Sequence, residues 1–194
     1  MSLAGFRPHH GALLIALAGV LAFVAWRGRT ARDDPATVLA ALRAAAGPAL
    51  PTPASVGASM WTEPTRYTAE TLYEFIDGAA EGYLGRGFTQ ALATTYTFTA
   101  GEGSIEIAAE VHRFAAPAGA AAQLEAEKPS AAVPVSGLLN CWGDASMLQA
   151  VLAAEYLKLT ALGTNPEAAN KMKTIAAAWT KGHATTARPQ GEPR

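Results

Sequence analysis

The chain has 194 residues, of which half are hydrophobic and 16% charged, and its formal net charge is −1. That balance excludes a basic field for nucleic acid and an acidic block for a basic partner. A single cysteine, Cys141, excludes an intramolecular disulfide and Cys-rich metal modules. Its Asn-Cys-Trp setting offers no assignable base, so it reads as a small buried residue rather than a nucleophile.

Gly11 to Trp26 (GALLIALAGVLAFVAW) contains no charge and no strongly polar group. As a helix it spans about 24 Å, against a bilayer core of about 30 Å. Trp26 suits an interfacial position. A cleavage site needs small residues after the apolar run, and here bulky Phe23 precedes Ala25. An uncleaved anchor is therefore favoured over a cleaved signal peptide or a buried helix. Arg27, Arg29 and Arg32 outnumber Arg7 across the run, so flanking charge alone places the following domain in the cytoplasm.

Asp34-Pro35 opens a short helix, with an acidic N-cap and proline at its first position. Three prolines between Pro48 and Gly57 then mark a linker. From Thr68 to about Leu84 the spacing of Leu72, Ile76, Ala79 and Tyr83 predicts one amphipathic helix, with Phe75 and Ala80 widening its apolar stripe. Ala91–Thr99 and Ser104–Phe114 alternate as strands about the turn Gly101-Glu102-Gly103 and predict a hairpin. Pro117 opens an Ala-rich helix that ends before Pro129, and 133–135 is a brief extended piece. Met147–Leu152 and Glu155–Ala161 predict a second hairpin. Asn165-Pro166-Glu167 starts a last helix with Met172, Ile175, Ala176 and Trp179 on one face, and Gly182 stops it.

The order predicts an α+β fold: an antiparallel sheet built from two hairpins with helices packed on one face, preceded by the hydrophobic helix. Residues 1–33 form the anchor or uncleaved signal segment. Residues 34–60 are a short helix and linker, 61–182 the domain, and 183–194 a tail expected to be disordered.

The sequence carries no Walker loop, dinucleotide fingerprint, HExxH or GxSxG motif. No catalytic, cofactor-binding or metal residue is assigned, and no cofactor is expected. Glu74, Asp77 and Glu81 recur at helical spacing, an arrangement able to hold a hard cation but more often a solvated acidic face. Glu106, Glu110 and His112 share one face of a strand and read as the wet side of a half-covered sheet more readily than as an acid–base row. His9, His10 and His183 fall in the anchor flank and the tail, away from any metal-binding pattern. Gly78 is the odd residue among good helix formers. It predicts a close backbone contact, a positive φ, or a helix broken so that Asp77 caps its second half.

Tyr67 to Phe88 (YTAETLYEFIDGAAEGYLGRGF) resembles the opening motif of an uncharacterised bacterial family defined only as a domain of unknown function. The residues carrying the resemblance are Leu72, Tyr73, Ile76, Asp77, Gly78, Ala79, Ala80, Glu81, Tyr83, Gly87 and Phe88. The strand ending at Arg113, the Ala-rich helix and Glu155–Thr160 extend it over roughly 61–181, although Gln123–Gly143 is short for the family. The resemblance implies an extracytoplasmic domain and brings no activity with it. The expectation is a membrane-anchored, periplasmic or extracellular binding or accessory module. Its N-terminal helix contacts the membrane, its partner is a protein or small molecule, and its functional neighbourhood is Tyr73, Asp77, Gly78, Glu81 and Tyr83. The alternative is a small metal-dependent hydrolase using Asp77, Glu81 and His112.

Overall fold

A computed structural model describes Leu42, residues 47–101 and residues 103–187. The apolar run at 11–26 and the expected helix after Asp34-Pro35 lie outside them. No helix among the described residues is long and apolar enough to cross a membrane.

Among the described residues, eight strands form one antiparallel sheet. They are β1 (Met60–Trp61), β2 (Thr65–Thr68), β3 (Phe88–Ala100), β4 (Gly103–Phe114), β5 (Val133–Pro134), β6 (Cys141–Gly143), β7 (Met147–Leu152) and β8 (Glu155–Ala161). The order is β1-β3-β4-β8-β7-β6-β5, with β2 following β1 along the same edge of β3. The two expected hairpins, β3–β4 and β7–β8, are present and meet through β4 and β8. Period-two burial on each strand sets their register: Leu92 faces Val111, Val111 faces Leu157, and Leu157 faces Ala150. Cys141 lies buried beyond them on β6, where burial pushes its thiol up to about 12.

Among residues 47–187 the helices are α1 (Pro53–Val56), α2 (Leu72–Ile76), α3 (Ala80–Gly85), α4 (Pro117–Glu127) and α5 (Ala168–Ala187). They cover both faces of the sheet, not the single face expected. The signal is on the strands themselves, since Val111 and His112 are both buried, as are Tyr156 and Leu157. On one face α5 lays Met172, Ile175, Ala176 and Trp179 over Ile107, Ala109, Leu157 and Leu159. On the other, α2, α3 and α4 bring Leu72, Ala80, Tyr83, Ala120 and Leu124 onto Phe88, Ala91, Phe114 and Tyr156.

Three boundaries differ from expectation for local reasons. The compact unit opens at Gly47 rather than near Trp61. The Pro-rich stretch is docked there: Val56 is buried, and Tyr96 donates its hydroxyl proton to the Pro51 carbonyl at 2.5 Å. The expected helix from Thr68 starts only at Leu72, because 65–68 is claimed by pairing with β3. The last helix runs through Gly182 to Ala187, so 183–187 are helical where a tail was expected. Glycine costs a helix only about 1 kcal/mol, which the hydrogen bonds of the next residue, His183, to the Trp179 carbonyl and Glu155 offset.

Candidate functional site

The motif segment is broken in the middle. α2 ends at Ile76, Asp77–Ala79 form a 3-10 turn, and α3 restarts at Ala80. Asp77 sits at φ 41° and ψ −128°, a backbone that side-chain-bearing residues rarely adopt. Its N–H donates to the Tyr73 carbonyl, and its own carbonyl accepts the Ala80 N–H. Gly78 has no positive φ, and a Cβ there would meet open space. The expected close contact is therefore absent, and the unusual conformation belongs to its neighbour. The break was one of the readings the glycine allowed, but Asp77 does not cap the second half with its side chain.

The five candidate residues separate. Tyr73, Asp77, Gly78 and Glu81 are exposed, with Tyr73 at 49%. Tyr83 is buried beneath them, its ring 4.8 Å from that of His112. The Glu106–Glu110–His112 row is not a uniformly wet face. It runs from exposed Glu106, through half-buried Glu110, to fully buried His112, because α2 and α3 close over that end of the sheet. His112 Nε2 bonds Glu110 Oε2 at 3.1 Å, and its Nδ1 is buried without a partner. Asp77 and Glu81 thus stand at the surface and His112 in the interior. The described residues contain no group of three or more His, Cys, Asp or Glu side chains able to hold a metal.

Polar side chains do converge elsewhere, at two glutamates the sequence did not single out. Glu127, at the end of α4, accepts from four donors. Tyr83 and Gln123 reach Oε1 at 2.5 and 2.7 Å, and Tyr156 and Lys158 reach Oε2 at 3.0 Å each. Gln149 donates to the Tyr156 hydroxyl at 2.8 Å, and Arg86 donates to Gln123 at 3.1 Å. Burial pushes the Glu127 pKa up, but its hydroxyl donors and Lys158 outweigh it and hold the carboxyl below its ordinary value. Burial together with this carboxylate drives both tyrosine hydroxyls far upward, so they remain donors. Four bonds fill the acceptor sites of a carboxylate, so this one is occupied by the fold.

Glu155, at the start of β8, forms the second hub on the opposite face. Arg113, directly across on β4, reaches Oε1 through Nε at 3.0 Å and Nη2 at 2.6 Å, and Nη2 also reaches the Gly47 carbonyl. His183 Nε2 bonds Oε2 at 3.0 Å while its Nδ1 bonds the Trp179 carbonyl at 3.0 Å. A carbonyl and a carboxylate only accept, so this geometry needs a proton on both ring nitrogens. The bond to Glu155 raises the His183 pKa above its ordinary value. Burial pushes Glu155 up, yet His183 and Arg113 together hold it below its ordinary range. His183 therefore anchors the last turns of α5 and does not belong to a free tail.

Sequence reasoning missed both hubs. Glu155 left one signal: it shares strand parity with inward-facing Leu157 and Leu159, an interior position for a charge. Glu127 left none, because apart from Gln123 on its own helix its donors come from α3 and β8, distant in sequence.

No family model matches the chain, and no curated protein does. Among solved structures, the crystal structure of the extracellular domain of PknH from Mycobacterium tuberculosis aligns over 66% of this chain and 89% of that one, at 13% identity and a TM-score of 0.41. A likeness of that size carries no functional argument.

Proposed function

We propose that the chain is a membrane-tethered, extracytoplasmic binding or accessory module, and that the surface of the broken motif helix is its contact region. The observation carrying this reading is the contrast in how polar groups are used. Glu127 and Glu155 are spent holding helices to the sheet. Tyr73, Asp77 and Glu81 are each exposed around the break, and an exposed tyrosine ring is a residue type enriched where partners bind. The uncharged run at 11–26 supports the tether. The family resemblance of 67–88 supports placement outside the cytoplasm, against the arginine count.

Two measurements test this. The full chain should fractionate with membranes, and a version lacking 1–33 should be soluble. Persistence of the shortened chain in salt-washed membranes would show that the tether lies elsewhere. A C-terminal reporter active only outside the cytoplasm should be active, and an inactive one with intact expression would place the domain inside.

A further inference from the structure

Asp77 and Gly78 are consecutive and exposed. The Asp77 ψ of −128° carries the Cα–Cβ bond nearly into eclipse with the bond from the carbonyl carbon to the Gly78 nitrogen. A five-membered ring through Cα, Cβ, Cγ, the Gly78 nitrogen and the Asp77 carbonyl carbon has that eclipse built in. In an ordinary Asp-Gly segment, ring closure must first drag ψ out of the helical or extended basin. Here the fold has already placed it. Both neighbouring backbone groups are held, the Asp77 N–H on the Tyr73 carbonyl and the Asp77 carbonyl by the Ala80 N–H. Open space where a Gly78 Cβ would sit leaves the attacking nitrogen uncrowded on that side.

We propose that Asp77–Gly78 is a self-modification site, at which the native fold promotes succinimide formation and, on hydrolysis, an isoaspartyl linkage. The Gly78 nitrogen attacks Asp77 Cγ. The N–Cγ bond forms, a Cγ–O bond breaks, and the carboxyl oxygen leaves as water carrying the amide proton. Water then adds to one imide carbonyl. Opening at Cγ restores aspartate. Opening at the main-chain carbonyl carbon routes the chain through the side chain and leaves a free carboxylate on Cα. The only co-reactant is water. The product lengthens the backbone by one methylene between α2 and α3 and relocates a charge beside exposed Tyr73 and Glu81.

The test follows the full, folded chain during incubation in mildly acidic buffer, with brief trypsin digestion and mass spectrometry of the peptide 67–86. A synthetic peptide of the same sequence is incubated in parallel. The form lighter by one water, and the isomeric isoaspartyl peptide, should accumulate in the folded protein at least as fast as in the free peptide. Asp144 serves as an internal control, since its Oδ1 already accepts the N–H groups of Ser146 and Met147, and it should stay unconverted. Asp77→Asn reaches the same imide by loss of ammonia and should show the same ranking of folded chain over peptide. Slower conversion in the folded chain than in the peptide, for either residue, overturns the proposal.

Discussion

The two faces of the sheet are covered in different ways. One carries the long continuous helix α5, with the four-residue α1 beside it, and the stripe from Ala168 to Trp179 meets the strands. The other carries α2, α3 and α4, short and interrupted, gathered around aromatic rings and the four-bonded Glu127. Strand β8 serves both through simple alternation, offering Leu157, Leu159 and Glu155 to one side and Tyr156 and Lys158 to the other. A long helix can be held by apolar area with one ionic clasp at its end. Pieces too short to be stable alone need directional bonds to fix their positions.

The largest expected effect lies on the α5 face. Trp179→Ala removes a buried ring that also packs edge-on against His183 at 4.8 Å. It should cost about 3–5 kcal/mol, read from chemical denaturation. An unchanged midpoint would mean that α5 is not docked, and the contrast between the faces would collapse. On the other face, Glu127→Ala leaves two tyrosine hydroxyls, an amide and an ammonium without their acceptor. It should cost about 2–4 kcal/mol. A loss below about 1 kcal/mol would reduce the hub to a surface ion pair.

Two glycines sharpen the same comparison at smaller magnitude. A Cβ on Gly119 of α4 would run into the Arg86 carbonyl and the Phe114 side chain, so α4 approaches the α3–β3 turn through that glycine. Gly119→Ala should destabilise by about 1–3 kcal/mol. Gly78→Ala meets open space and should be neutral or stabilising by up to about 1 kcal/mol. The reverse ranking in melting temperature would contradict the assigned packing of α4.

Features governed by short-range periodicity were legible in the sequence. The β7–β8 hairpin falls at its expected bounds because alternation and a tight connection decide it. Met172, Ile175 and Trp179 are buried as their spacing requires. What escaped depends on partners distant in sequence. Tyr83 and Glu127 are 44 residues apart, and Arg113 and Glu155 are 42. The second covered face was hidden because His112 and Glu110 look like wet-face residues until α2 and α3 close over them. The helix extension past Gly182 was hidden for the same reason, since its stabiliser, Glu155, sits on β8. At the motif, the composition pointed to the right place and the wrong residue. A glycine advertises unusual backbone, but here Asp77 adopts it.

The Glu155 clasp tests most directly the claim that these polar groups are spent on holding helices to the sheet. With its pKa raised above the ordinary 6.5, His183 adds stability that is complete below that value and is lost as pH rises through the raised one. Glu155, held below its ordinary 4.5, adds stability that is present above that value and is lost as pH falls through the depressed one. Denaturation of the full chain and its His183→Gln variant should therefore be compared from mildly acidic to alkaline pH. The account predicts that the variant is less stable by about 1 kcal/mol near pH 6, and that the difference shrinks towards alkaline pH as the wild-type imidazole loses its second proton. A difference that is the same at every pH, or that grows as pH rises, would contradict it.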